Sequence, residues 1–335
     1  MGITPTMGIP TNATIATDMS DIAIELQAPD ITPYRRSTTG VDWIHTLDSG
    51  KPGPHVLVNA LTHGNEICGA IALDRLFRMD VRPVQGKLTL AFANVRAFER
   101  FDTRNPYASR FIDEDFNRVW TRATLDGPRK SAELERAREL RPFVEQADFL
   151  LDIHSMLEPS PPVMICGPLE KGIRFAFDVG VPEHIVSDTG HSNGTRMRDY
   201  GGFGDPASPK NALLVECGQH WERASEHVAW QTVWRFLRHT GAVDRAQAEE
   251  QIDRAAPPRQ KLIRVTDAVI ASTPSFRFAR PYTGLEIVPR RGDVIAWDGS
   301  QPVVAPYDNC VLIMPVPNNI KTGLTAVRLG RLERA

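Results

Sequence analysis

The sequence predicts an α/β fold: a mostly parallel or mixed sheet flanked by helices, followed by a small C-terminal all-β domain. Three observations carry this. Short, nearly continuous apolar runs, such as HVLVNA (55–60), FLLDIHS (149–155) and ALLVECG (212–218), read as strands covered on both faces. Longer stretches with helical apolar spacing separate them, and strands alternating with helices imply a largely parallel sheet through roughly residue 240. Beyond residue 260 the pattern turns to short strands divided by Gly, Pro and Asp turns, with no further helix evident.

In chain order, residues 1–20 are rich in Thr, Pro and Gly without periodicity and are expected to form a flexible arm. DIAIELQ (21–27) and VDWIHTLDSG (41–50) alternate in polarity like two edge strands, and KPGP (51–54) is a turn. From Asn65 the period changes: Ile67, Ile71, Leu73, Leu76 and Phe77 fit the buried face of a helix ending near Met79. KLTLAFANVRA (87–97) reads as a second buried strand, and 104–120 as a loop dense in charge. SAELERARELRPFVEQ (131–146) is helical, with Ser131 as N-cap and a kink at Pro142. FLLDIHS, PVMICG (162–167), HIVSD (184–188) and ALLVECG supply further strands, and Trp230, Trp234 and Leu237 mark a helix facing the core. RAQAEEQIDRAAPPRQ (245–260) is polar and ends in Pro257-Pro258, a linker signal. The expected organisation is an arm (1–20), an α/β domain (21–244), a linker (245–260) and a β-rich domain (261–335).

Composition narrows the function classes. A chain of 335 residues, 41% hydrophobic and 24% charged, is an ordinary globular protein with enough material for a real core. A net charge of −2 argues against a general nucleic-acid or anionic-membrane surface. No apolar run reaches about 18 residues, so no membrane-spanning helix is expected. The first twenty residues lack the charged start and apolar centre of a signal peptide. Cys68, Cys166, Cys217 and Cys310 are far apart and form no C-x-x-C pair, which reads as reduced thiols in the cytoplasm.

The chemistry gathers at strand ends. His63 and Glu66, in His63-Gly64-Asn65-Glu66, lie where a strand passes into a helix, and His154 closes FLLDIHS. Parallel α/β sheets bind ligands at the carboxyl ends of their strands. Two histidines and a glutamate make three protein ligands for zinc and leave a fourth position for water. Asp152 shares a strand face with His154, where it could fix a histidine tautomer. Glu216 ends ALLVECG and could take a proton from water and deliver it to a leaving amine. Arg110, Asn117 and Arg118, in SRFIDEDFNRVW, suit an acidic group or a polarised carbonyl oxygen, or else a salt-bridged surface loop with Asp113, Glu114 and Asp115. Ser155 and Ser192 lie in no G-x-S-x-G elbow, and GGFG (201–204) precedes Asp-Pro rather than a helix. A serine hydrolase and a phosphate cradle are both disfavoured.

Together HGNE (63–66), NVRA (94–97), RFIDEDFNR (110–118), DIHS (152–155) and VECG (215–218) resemble, in order, the succinylglutamate desuccinylase/aspartoacylase family, relatives of the zinc carboxypeptidases. The resemblance spans roughly residues 50–240, and the β-rich tail also looks like that family's second domain. It implies one zinc ion per chain held by His63, Glu66 and His154, with Asp152 behind them. It further implies Glu216 as general acid/base, Arg110 as the group polarising the scissile carbonyl, and Asn117 and Arg118 as anchors for a substrate carboxylate. The implied substrate is a small N-acyl amino acid or related amide, and the chain could form a homo-oligomer. A metallocarboxypeptidase acting on short peptides and a non-catalytic zinc- or ligand-binding protein are the alternatives. The chain departs from the family in having no arginine among the ten residues before Glu216. Arg196 and Arg198, in a Gly-rich stretch (190–204) suited to a mobile lid, are the substrate-binding candidates instead, with Tyr282 and Tyr307 as candidates from the tail.

Overall fold

The computed structural model describes residues 23–190, 194–317 and 320–333, so the expected arm (1–20) and Ser192 lie outside the described residues. The elements in order are β1 (Ile44–Asp48), β2 (His55–Ala60), α1 (Ile67–Arg78), β3 (Lys87–Phe92), α2 (Val95–Phe98), α3 (Arg122–Asp126), α4 (Ala132–Gln146), β4 (Phe149–Met156), β5 (Val163–Ile165), α5 (Glu170–Val179), β6 (His184–Ser187), β7 (Asn211–Gln219), α6 (Arg223–His239) and α7 (Arg245–Gln251). The tail then adds β8 (Lys261–Ile270), β9 (Arg277–Phe278), β10 (Ile287–Val288), β11 (Val294–Asp298), β12 (Gln301–Val304), β13 (Cys310–Ile313) and β14 (Thr325–Glu333).

Eleven strands form one mixed sheet in the order β1-β3-β2-β4-β7-β5-β6-β8-β14-β13-β10, and β12-β11-β9 form a separate antiparallel sheet. At its centre β3, β2, β4 and β7 run parallel, as their unbroken apolar sequences require. β5 pairs antiparallel with β7, and β1 antiparallel with β3, which makes the sheet mixed. Alternation along the strands splits the core. Val56, Val58, Ile153 and Val215 meet Leu73, Phe175 and Trp234 from α1, α5 and α6 on one face. Leu57, Leu150 and Ala212 meet Leu134 and Leu140 of α4, with Met197 and Phe203, on the other. Among the described residues no helix is long and apolar enough to cross a membrane.

The tail continues the same hydrogen-bonded sheet, because β8 pairs parallel with β6 from His184↔Lys261 to Ser187↔Arg264. Val311 and Ile313 of β13 then pack against Val163, Ile165, Val186 and Leu214, so the sheet curls back on itself.

Several local expectations change. DIAIELQ forms no strand over its described residues 23–27. Its alternation reflects burial of Leu26 against the core, and Pro29 cannot donate to a ladder. The strand expected over 87–97 stops at Phe92, and α2 follows, with Asn94 Nδ2 donating to Glu133 Oε1 at 3.0 Å. α4 begins as expected, Ser131 Oγ accepting from Leu134 N at 3.0 Å, and it continues through Pro142 to Gln146. The polar stretch at 245–260 opens with α7, whose cap Asp244 accepts from Ala246 N and Gln247 N.

Candidate active site

At the end of β2 the chain turns sharply, and Leu61 takes a φ of 60°, left-handed for a fully buried leucine. The turn sends His63 across the end of the sheet, and Gly64 then donates its N–H to Arg110 O at 3.1 Å. A Cβ on Gly64 would lie 2.4 Å from Ala97 C, Phe98 N and Ser109 O, all backbone atoms that cannot rotate aside. The glycine of this motif is therefore a packing requirement. Gly64→Ala should cost about 1–3 kcal/mol of stability, read as a lower urea midpoint; an unchanged midpoint would show that the close approach is not needed.

Glu66, at the N-terminus of α1, lies between two imidazoles. His63 Nδ1 is 2.7 Å from Glu66 Oε1, and His154 Nδ1 is 2.8 Å from Glu66 Oε2. One ligand atom from each of the three residues falls within 4.8 Å of the others, and all three residues are buried. The far nitrogens are also held. His154 Nε2 is 2.8 Å from Asp152 Oδ2, whose Oδ1 accepts from Asn59 Nδ2 and Thr62 Oγ1, both at 2.8 Å. His63 Nε2 is 3.0 Å from Asp115 Oδ1. A carboxylate on each Nε2–H leaves each Nδ1 as the donor, and two imidazole nitrogens with one carboxylate suit zinc. Burial opposes ionisation of Glu66, but His63 and His154 hold its carboxyl well below the usual range. Burial likewise opposes charge on His154, which Asp152 and Glu66 raise well above its ordinary value. A buried acid flanked by two imidazoles is an environment a cation would satisfy. The donor set fits the metal.

Around it stand the other expected residues. Arg110 Nη2 lies 3.0 Å from His63 Nε2 and 3.2 Å from Asp115 Oδ2, and Nη1 lies 3.5 Å from Glu66 Oε1. With His63 Nε2–H turned to Asp115, Arg110 is left to donate to the carboxylates, and its side chain is 37% exposed. Asn117 Nδ2 is 3.4 Å from His154 Nε2, while its Oδ1 accepts from Met197 N at 2.9 Å. Arg118 donates from Nη1 to Asn117 O at 2.9 Å. Glu216 is the register partner of His154 on the adjacent strand. Among the described residues its shielded Oε2 meets no hydrogen-bond partner. Burial pushes its carboxyl up to about 8, against the pull of His154.

Arg196 and Arg198 are buried in a dense ionic web. Arg196 pairs with Asp188 and with Asp199 at 2.6 Å, and Arg198 donates to Cys166 O at 2.8 Å and Ala212 O at 2.9 Å. With Met197, Tyr200 and Phe203 in the core, the segment after Gly194 is packed in place rather than built as a mobile lid. Tyr282 OH donates to Val294 O and Tyr307 OH meets Thr266 Oγ1, both bonds within the tail. Sequence reasoning missed Asp115 as the partner of His63, although it stands inside RFIDEDFNR. It also missed Arg328, on β14, whose Nε lies 3.8 Å from Asp188 Oδ2. No local pattern marks Arg328, because only the curl of the sheet brings it near.

A family model for the succinylglutamate desuccinylase/aspartoacylase catalytic domain matches residues 52–220. No curated protein matches the chain. Among solved structures, it is similar to succinylglutamate desuccinylase from Vibrio cholerae (TM-score 0.63, 16% identity, 88% of this chain and 89% of that one). It is similar also to a succinylglutamate desuccinylase/aspartoacylase from Rhodobacter sphaeroides (TM-score 0.63, 19% identity, 94% and 98% covered). A third is the product-bound ectoine utilization protein EutE (DoeB) from Ruegeria pomeroyi (TM-score 0.59, 18% identity, 88% and 92% covered). At these identities the structural likeness speaks for the fold. The model match is what assigns the family, whose members are deacylating hydrolases acting on amides. It covers half of the chain and contains His63, Glu66, His154 and Glu216, and this protein belongs to the succinylglutamate desuccinylase/aspartoacylase family.

Proposed function

We propose that the chain is a zinc-dependent hydrolase, one ion per chain, that cleaves the amide bond of a small N-acyl amino acid or a related carboxylate-bearing amide. The observation that supports it most is Glu216: a shielded carboxylate oxygen without a partner, one strand away from a His-Glu-His donor set. Zinc bound there would supply the positive charge that acidifies water and polarises a carbonyl. Glu216 takes a proton from the attacking water, which adds to the amide carbon, and returns a proton to the amine nitrogen as the C–N bond breaks. A carboxyl raised by burial is suited to both transfers. Arg110 donates to the carbonyl oxygen as it gains charge. Asn117 and Arg118 orient the substrate carboxylate, and Asp152 and Asp115 keep the two imidazoles in their donor tautomers. Four buried free thiols suit a reducing compartment, and the cytoplasm is the proposed location.

The test is a hydrolysis screen of the zinc-loaded protein over N-acetyl, N-succinyl and N-formyl amino acids, beside short peptides with free and blocked C-termini. Turnover of an N-acyl amino acid, with much less on peptides, is expected. Turnover confined to peptides with free C-termini would point to a carboxypeptidase, and stoichiometric zinc without any turnover to a binding protein.

A further inference from the structure

The bend between Arg110 and Asp115 has no ladder of its own. Residues 111–115 belong to no helix or strand, so the N–H groups of Ile112, Asp113 and Glu114 need partners from elsewhere. One side chain supplies all three. Glu133, fully buried in the first turn of α4, accepts through Oε1 from Ile112 N at 2.6 Å. Its Oε2 accepts from Asp113 N at 3.0 Å and from Glu114 N at 3.2 Å. Asn94 Nδ2 completes the set on Oε1 at 3.0 Å. A carboxylate offers about four lone-pair positions, and four N–H groups take them up.

The clasp is reciprocal. Asp113 Oδ2 accepts from Ala132 N at 2.7 Å, and Glu114 Oε1 accepts from Ser131 Oγ. The acids of the bend thus close over the open N-terminus of α4, while the acid of α4 closes over the backbone of the bend. A glutamate needed only to favour a helix N-terminus can stay at the surface. Glu135 does so in the same turn, its side chain 59% exposed near Arg96.

What the clasp holds is the machinery on either side. Arg110 stands two residues before Ile112, and Asp115 directly follows Glu114. Asp115 meets His63 Nε2 at 3.0 Å and Arg110 Nη2 at 3.2 Å. Asn94 extends the hold to the turn before His63, because its N–H donates to Leu61 O at 2.8 Å. We propose that Glu133 is a positioning residue of the site: by gripping the bend at 112–114 it keeps Arg110 and Asp115 against His63. Its effects on zinc and on kcat rest on the hydrolase reading above; the grip on the bend does not.

Glu133→Gln tests this, because glutamine keeps the size but turns an NH2 group toward N–H donors. Hydrogen–deuterium exchange of the metal-free protein, followed by mass spectrometry, should quicken about 10- to 100-fold over 111–115, the scale for hydrogen bonds to a charged group. β2 and β4 should exchange as in the wild type. Zinc affinity should fall too, by at most the roughly 10- to 100-fold cost of losing a partner such as Asp115. At saturating zinc, kcat should drop by up to about 10²-fold, the scale for misplacing a group by about 1 Å. In an Arg110→Ala background the same substitution should cost little further kcat, since the group it positions is gone. Glu135→Gln, which removes an acid from the same turn without touching the clasp, should change none of these. If Glu133→Gln does not fold, Glu133→Asp, with a reach shorter by one methylene, decides by the same readouts. Unchanged exchange over 111–115, quickening spread evenly through the fold, unchanged zinc affinity or an equal kcat loss in both backgrounds would each overturn the proposal. A wild type that binds zinc but hydrolyses no N-acyl amino acid would remove the hydrolase reading alone, and exchange with zinc affinity would then decide the role of Glu133.

Discussion

Glu216→Gln should lower kcat on the N-acyl amino acid that the wild type turns over best by about 10²- to 10⁴-fold, the range for loss of a positioned acid or base. Zinc should stay bound, because Glu216 is not among the three clustered donors. Glutamine matches glutamate in size and can neither accept the water's proton nor return it. Two measurements on one sample, zinc content and kcat, decide the matter: full zinc with full activity would remove Glu216 from the mechanism. A second readout follows from the raised carboxyl. In the folded, metal-free protein Glu216 holds its proton up to about 8, whereas in the unfolded chain it releases it near the ordinary glutamate value of about 4.3. Between those values the folded state binds the extra proton, so this group's contribution makes stability fall as pH rises through the window. Chelated wild type should lose stability from about pH 4.3 to 8 more steeply than chelated Glu216→Gln. Parallel slopes would mean that Glu216 ionises freely in the fold.

What could be read before the fold was known, and what could not, follows from the range of the forces concerned. HVLVNA and ALLVECG announced central strands because burial on both faces leaves a continuous apolar run, and both became strands of the parallel block. His154 and Glu216 were legible because they lie toward the ends of such strands, and His63 and Glu66 because they follow β2 where it passes into α1; strand order then brings the four together. DIAIELQ failed because alternation records burial of Leu26 and is silent on whether a ladder partner exists. After Gly194 the expected lid is packed in place, because Gly-rich composition hides Met197, Tyr200 and Phe203, whose burial fastens these residues to the sheet; residues 191–193 lie outside the described residues. Asp115 was visible as a charge but could be matched to His63 only across a tertiary contact. Arg328 depends on the longest-range feature of all, a sheet curling through β5, β6 and β8 until its last strands face β7.

The donor set carries the other large expected effect. His154→Ala should abolish stoichiometric zinc and, with it, activity, since two remaining donors make an incomplete site. The informative companion is Asp115→Asn. Asp152 is fully buried and bound to Asn59 and Thr62, so altering it would disturb the fold together with the metal. The Asp115 side chain is 20% exposed and acts on His63 from the rim of the site. Asparagine there keeps the shape but loses the charge that fixes the His63 tautomer and steadies Arg110. Zinc affinity should fall about 10- to 100-fold, the usual cost of losing a partner behind a ligand histidine. Competition with a chromogenic chelator measures it, and unchanged affinity would mean that His63 is oriented by its backbone alone. A drop in kcat beyond that explained by zinc occupancy would then report on Arg110, because Asp115 contacts both residues.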